Sequence, residues 1–82
     1  MRILFFGRVA EAAGTRETLA DPPAGIGTAY ALRTWLCRDD PALLAVLAHP
    51  SVRIAVNDEI LPEDRAIAPD DEVAFMPPVS GG

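Results

Sequence analysis

One amphipathic helix in the middle of the chain does most to limit the folds that this sequence can adopt. Residues 29–38, AYALRTWLCR, carry a single apolar stripe made up of Ala29, Leu32, Trp35 and Leu36. Thr28 stands just before this segment, where it can act as the N-cap of the helix. A helix with one apolar face is stable only when another layer covers that face, so the rest of the chain must provide that layer.

Short strand patterns flank this helix on both sides. They cover residues 2–7, 15–19, 51–57, 59–61 and 72–77, with helical segments at residues 9–14 and 41–49. The first strand pattern is apolar on both faces, which indicates an interior strand, and the second is expected to run antiparallel to it. This order predicts an α+β fold of the β-grasp, ubiquitin-like kind. In it, a mixed sheet of about five strands curls around one main helix, with one or two short extra helices. We expect the domain to span residues 1–76 and an extended tail to span residues 77–82.

The composition restricts both the compartment and the partners. Eighty-two residues make one domain, and Cys37, the only cysteine, rules out an intramolecular disulfide. Four consecutive apolar residues near the N-terminus are too few for a signal peptide or a membrane span, so we expect a soluble cytoplasmic protein with no membrane partner. The net charge is −5 and the seven basic residues are scattered arginines. This pattern argues against nucleic acid binding and favours a basic protein surface as partner.

Side chains suited to catalysis or metal binding are sparse. Cys37 and His49 are twelve positions apart and do not make a zinc site. We expect Cys37 to pack in or near the core and His49 to lie at the surface or at a helix end. The acidic residues at 58–59 and 70–72 fall in predicted turns, where solvated carboxylates are common. We therefore expect no bound metal or cofactor, and no catalysis by side chains of this chain alone.

The chain ends with MPPVSGG, and after Glu72 it carries no charged side chain. Pro77 and Pro78 favour an extended direction away from the sheet, and Gly81 and Gly82 form a backbone thin enough for a narrow channel. Such a tail can deliver its terminal carboxylate into the active site of another protein. A carboxylate must first be activated, most simply as an acyl-adenylate made from ATP, before a thiol, an amine or a sulfide donor displaces AMP. A frayed end without function is the alternative that Gly-Gly alone leaves open.

Three segments together resemble the MoaD family, the small, sulfur-carrier subunit of molybdopterin synthase. They are ILFFGRVAEAAGT at the start, AVNDEIL before the last strand and EVAFMPPVSGG at the end. The resemblance runs the full chain and is strongest at its two ends. At residues 70–72 the family usually has Gly-Asp-Glu where this chain has Asp-Asp-Glu, and we expect the turn to survive that change.

The resemblance implies a mechanism centred on Gly82. An adenylating enzyme of the MoeB type would activate its carboxylate with ATP, and a sulfur donor would convert it to a thiocarboxylate. The tail would then insert into a large subunit of the MoaE type, within a heterotetrameric synthase. The inserted residues before Gly82 would be Pro77, Pro78, Val79, Ser80 and Gly81. There the terminal sulfur attacks precursor Z to build the dithiolene of molybdopterin, with the catalytic side chains on the large subunit.

The partner surface is expected on the sheet face that turns away from the long helix. Phe75 is the first candidate for an apolar contact, and core burial is its alternative, which alternation along the strand does not separate. Arg8 and Arg53 are candidates for contacts at the rim. Two other functions stay open: a sulfur carrier for thiamine or another thiolation route, and a β-grasp binding module with an inert tail.

Overall fold

A computed structural model describes residues 1–78 and contains one mixed sheet and three short helices in that part of the chain. In chain order the elements are β1 (Arg2–Phe5), α1 (Gly7–Ala13), β2 (Glu17–Leu19), α2 (Ala29–Leu36), α3 (Pro41–Leu47), β3 (Arg53–Val56), β4 (Glu59–Ile60) and β5 (Glu72–Met76). The sheet order is β2-β1-β5-β3-β4, in which β1 and β5 are parallel and the other pairs are antiparallel. This architecture confirms the predicted α+β β-grasp fold, with β1 in the interior of the sheet and β2 antiparallel to it.

The helix boundaries follow from side-chain and glycine caps. The hydroxyl of Thr28 accepts a hydrogen bond from the backbone N–H of Ala31 at 3.2 Å, so Thr28 is the N-cap of α2 as predicted. Asp40 caps α3 in the same way, because its carboxylate accepts the N–H of Leu43 at 3.0 Å. Gly14 ends α1 with a φ of 77°, a conformation that a glycine adopts without steric cost.

The two acidic turns lie side by side at one end of the sheet, where β3 ends and β5 begins. Asn57 and Asp58 have φ values of 50° and 70°, as a tight two-residue hairpin between β3 and β4 requires. The side-chain amide of Asn57 donates to the carboxylate of Asp71 at 2.9 Å, and its carbonyl oxygen accepts the N–H of Glu72 at 3.0 Å. The turn at residues 70–72 therefore forms as expected, and it needs no left-handed residue at Asp70.

The core lies between the sheet and the helices. Ala29 and Leu32 of α2 are fully buried together with apolar side chains from β1, β3 and β5, so the predicted stripe does cover the sheet. Cys37 is buried in the same cluster, which confirms its predicted packing role. Trp35 packs against the edge of this cluster, and Tyr30 is exposed at its rim.

Candidate functional site at the base of the C-terminal tail

The tail begins where the central strand of the sheet ends. β5 is hydrogen-bonded to β1 on one side and to β3 on the other, and the last residue of β5, Met76, is paired with Arg53. The backbone N–H of Phe6 donates to the carbonyl of Phe75 at 3.1 Å, which extends the parallel ladder by one more bond. Pro77 and Pro78 have no N–H and cannot continue either ladder, so the chain leaves the sheet from a strand that is held on both sides.

Gly7 lies directly against Pro77, the first residue of the tail. It lies at the start of α1 with a φ of 55°, and a Cβ added there would come within 2.9 Å of Cγ of Pro77. Contacts of this length are not tolerated between carbon atoms, so only a glycine allows α1 to approach the tail this closely. The role of Gly7 cannot be predicted from the sequence alone. The sequence shows only that this glycine directly follows the apolar run ILFF.

The structure corrects the assignment of Phe75 to a partner surface. Its side chain has no exposed area and stacks on Phe5, with the ring centroids 5.9 Å apart and the planes within 14° of each other. Phe75 is paired with Phe5 on one side and with Ile54 on the other, and all three side chains face the core. The strand alternation therefore turns Phe75 inward, and it is a core residue.

The other predicted site residues divide into two groups. Arg8 and Arg53 are both exposed and lie at the tail base: Arg8 lines a shallow hollow with Pro77 and Pro78, and Arg53 lines a second hollow with the same prolines. The structure thus brings both arginines next to the tail, and their contact with a partner stays a prediction. Val79, Ser80, Gly81 and Gly82 lie outside the described residues.

An apolar row crosses the sheet face that turns away from the core. It consists of Leu4, Ala74, Ala55 and Ile60, which are paired in register from β1 to β4. Their strand neighbours belong to the buried cluster, so this row faces the opposite side, and Ile60 is 56% exposed. The sequence predicts a partner surface on this face, and the alternation in β1 and β3 is the signal that indicates these residues.

Cys37 and His49 provide no nucleophile or base in a cleft. Burial raises the pKa of the Cys37 thiol, with a further contribution from the charge of Asp40, so the reactive thiolate is disfavoured. His49 is exposed, as predicted, and its Nδ1 lies 2.7 Å from the hydroxyl of Ser51.

Three acidic side chains of the two acidic clusters, Glu59, Asp71 and Glu72, have structural partners. Glu59 pairs with Arg65, and Glu72 pairs with Arg2 at 2.9 Å. The N–H of Ala68 and the amide of Asn57 hold the pKa of the Asp71 carboxyl below its usual range. Within residues 1–78, no group of three or more His, Cys, Asp or Glu side chains could hold a metal ion. In the same part of the chain, none of the helices is both long and apolar enough to span a membrane.

Comparison with known proteins gives consistent matches over the whole chain. The model of the ThiS family matches residues 3–82. The molybdopterin synthase sulfur carrier subunit of Escherichia coli (strain K12) is 34% identical over 82 residues, which cover 100% of this chain and 99% of that protein. The subunit of the same name from Haemophilus influenzae is 29% identical over the same extent. Among solved structures, SAMP1 from Haloferax volcanii has a TM-score of 0.80 and 30% identity, covering 99% of this chain and 97% of that one. These matches confirm the resemblance that the sequence segments predicted.

Proposed function

The chain belongs to the ThiS family, and from this we propose that it is a sulfur carrier of molybdenum cofactor biosynthesis, with the carboxyl group of Gly82 as the carrying group. Its two relatives named as sulfur carrier subunits of molybdopterin synthase span its full length, so the proposal does not depend on a shared fragment. Thiamine synthesis and other thiolation routes use the same carrier chemistry, and the partner that binds the tail decides between them.

The position of the tail base is the observation that carries this proposal. A carrier must present a thin, uncharged chain at a fixed starting point. Here the central strand, the Phe6 N–H bond and the Gly7–Pro77 contact set that starting point. Cys37 is buried, and Glu72 and Asp71 are engaged in an ion pair and a hydrogen bond, which supports the terminal carboxyl group as the reacting group. We propose that residues 1–76 form the presenting domain and residues 77–82 the inserted tail.

The proposed chemistry takes place in three steps. The carboxylate of Gly82 attacks the α-phosphate of ATP on an adenylating enzyme of the MoeB type, forming an acyl-adenylate and releasing pyrophosphate. Sulfide sulfur from a donor then adds to the acyl carbon, AMP leaves, and a thiocarboxylate remains. Inside a large subunit of the MoaE type, the terminal sulfur forms a carbon–sulfur bond with precursor Z as a carbon–oxygen bond of precursor Z breaks, and water then hydrolyses the acyl–sulfur bond, which leaves the sulfur on the product and returns the carboxylate. The chain is the substrate and small subunit of this reaction and contributes no catalytic side chain.

We propose the cytoplasm as its compartment, since ATP is available there and a free thiol such as Cys37 stays reduced.

A second candidate function is transfer of the whole chain to another protein. The similarity to SAMP1, a small archaeal modifier protein, at 30% identity over nearly the full chain favours this candidate. An activated Gly82 carboxyl group would form an amide with an amine of the target, and AMP would leave. This alternative shares the activation step and differs in the acceptor.

Intact-mass spectrometry after incubation with a MoeB-type enzyme, ATP and a sulfur source tests the proposal. Replacement of one oxygen by sulfur at the C-terminus is expected, followed by formation of molybdopterin when the large subunit and precursor Z are added. A variant with one residue appended after Gly82 is the control, and it should gain no sulfur. Full activity of the extended variant would refute the terminal-carboxyl mechanism, and conjugates with other proteins in place of thiocarboxylate would favour the modifier function.

A further inference from the structure

Four basic side chains line three adjoining hollows, two of which are also lined by the tail prolines Pro77 and Pro78, although the chain as a whole is acidic. They are Arg8 in α1, Arg33 in α2, His49 after α3 and Arg53 in β3, and we refer to them as the basic collar. Arg33, His49 and Arg53 line one hollow, and His49 also lines the hollow that contains Arg8, Pro77 and Pro78. Three arginines from three separate elements therefore give these hollows positive charge, and His49 lies between them beside the point where the tail leaves the domain.

The collar arginines have no carboxylate partner within the described residues. The ion pairs found in residues 1–78 involve Arg2, Arg38 and Arg65, and none of them involves the collar. The hollows that the collar lines include no Asp or Glu among their wall residues. Asp64, whose carboxylate accepts the backbone N–H groups of Tyr30 and Arg65, keeps its negative charge but lines none of these three hollows. The net charge of −5 is therefore not distributed evenly, and the surface around the tail is locally positive.

Arg33 and His49 each have a ring or guanidinium N–H group for which the described residues provide no hydrogen-bond acceptor. The Arg33 guanidinium lies over the ring of Tyr30 at 4.3 Å from its centroid, and its Nε is buried without a hydrogen-bond partner in the described residues. The Nδ1 of His49 accepts the backbone N–H of Ser51 at 3.1 Å, which leaves Nε2 as the ring nitrogen that can donate.

We propose that the basic collar is a docking surface for an acidic patch on a partner protein, formed by carboxylates at the mouth of the channel that receives the tail. This inference rests on the proposed function, because only insertion of the tail brings a partner against all four residues. Arg8 and Arg33 line different hollows, so a small anion would not contact both, whereas a rim of carboxylates would. The local charge also replaces the sequence-based expectation that this acidic chain meets a basic surface. At the tail base the partner is acidic, and the charges would accelerate and orient the encounter.

A charge-reversal pair with a matched control tests the collar. Arg33→Glu removes a collar arginine, and Arg38→Glu removes an arginine outside the collar whose guanidinium also lies 4.3 Å from an aromatic centroid, that of Trp35. Arg8→Glu is a second collar variant on an exposed position of the first turn of α1, where a carboxylate is compatible with the helix. Circular dichroism and thermal unfolding establish that each variant is folded.

The probe is a hexaglutamate peptide, titrated into ¹⁵N-labelled full-length chain at low and moderate salt. We expect shifts at the side chains of Arg33, His49 and Arg53, and affinity lower on the order of tenfold in Arg8→Glu and Arg33→Glu but unchanged in Arg38→Glu. Binding should weaken as salt is added. Absence of collar shifts, or an equal loss in Arg38→Glu, overturns the proposal. Equally strong shifts with inorganic phosphate overturn it as well, because the collar would then be a site for small anions.

A second measurement separates this inference from the proposed function. The rate of ATP-dependent modification of Gly82 is measured with the adenylating enzyme at increasing concentrations of carrier. Collar variants are expected to raise KM on the order of tenfold with little change in kcat, and Arg38→Glu is expected to match the wild type. A wild-type chain that is never modified refutes the carrier function, while the peptide titration still decides the collar. Equal KM values in all variants refute the collar as the docking surface of that enzyme.

Discussion

Replacing Gly7 with alanine is expected to destabilise the domain through two separate effects. The φ of 55° at Gly7 lies in the left-handed region, where a residue with a Cβ loses about 1–2 kcal/mol. Gly7 is exposed, but the new Cβ would also lie 2.9 Å from Cγ of Pro77, and relieving that overlap costs about 1–3 kcal/mol. Together the free energy of unfolding should fall by about 2–5 kcal/mol, unless the tail base moves away and reduces the second effect.

Gly14→Ala is the control that isolates the backbone effect. Gly14 has a φ of 77°, and a Cβ added there meets nothing within 4 Å. Its substitution should therefore cost about 1–2 kcal/mol, the left-handed penalty alone. In a domain of this size each kcal/mol lowers the melting temperature by about 4–8 °C, so thermal unfolding followed by circular dichroism resolves the two variants.

Pro77→Ala completes a double-mutant cycle with Gly7→Ala. Alanine lacks the Cγ that the new Cβ would meet, and Cβ of residue 77 already lies at an ordinary 4.0 Å. The loss of proline stiffness affects both arms of the cycle equally and cancels. We expect the double variant to be more stable than the sum of the single effects by about 1–2 kcal/mol. Equal unfolding free energies for Gly7→Ala and Gly14→Ala, together with additive effects in the cycle, would refute the Gly7–Pro77 contact as a determinant of the tail base.

Two further predictions address the core and the acidic turn. Phe75→Ala should lower the free energy of unfolding by about 3–5 kcal/mol in denaturant titrations, because the ring is fully buried; a variant that keeps its stability and loses only partner binding would contradict this. Asp71→Asn should destabilise the domain at neutral pH but not in acid. The folded-state pKa of Asp71 is lowered, so its contribution is present above about pH 4, the ordinary value, and is lost as the pH falls through the folded-state pKa. Stability curves for Asp71→Asn and the wild type that stay parallel down to strongly acidic pH would exclude this role.

Local signals explain why most of the fold could be predicted from the sequence. The cap at Thr28, the proline at the start of α3 and the Asn57-Asp58 turn each depend on residues within four positions of one another. The bounds differ from the predicted ones mainly at helix and strand ends. β1 stops at Phe5 because Gly7 already begins α1, and α2 ends at Leu36 with Cys37 as its C-cap.

The features that sequence alone did not identify are contacts between distant segments. Gly7 and Pro77 are seventy positions apart, and neither residue indicates the other without the parallel pairing of β1 and β5. The sequence does not show which face of the sheet carries the side chain of Phe75, because both faces of β5 are apolar. Only the register that pairs Phe75 with Phe5 places it on the core face. The collar likewise joins three arginines and one histidine that are isolated from one another in the sequence.

The directions of the strands account for the separation of charge. β1 and β5 are parallel, so the carboxyl end of β5, with the tail, lies at the same end of the sheet as the start of α1 and Arg8. β3 is antiparallel to β5, which places its first residue, Arg53, opposite Met76 at that same end. The acidic turn at residues 57–58 follows β3, and the acidic turn at residues 70–72 leads into β5. Both lie at the end of these strands that is far from the tail, where the N–H of Asn57 donates to the carbonyl of Glu72. The topology therefore places these acidic turns at one end of the sheet and Arg8 and Arg53 at the other end, beside the tail. In this way an acidic chain can present a basic surface where its tail enters a partner.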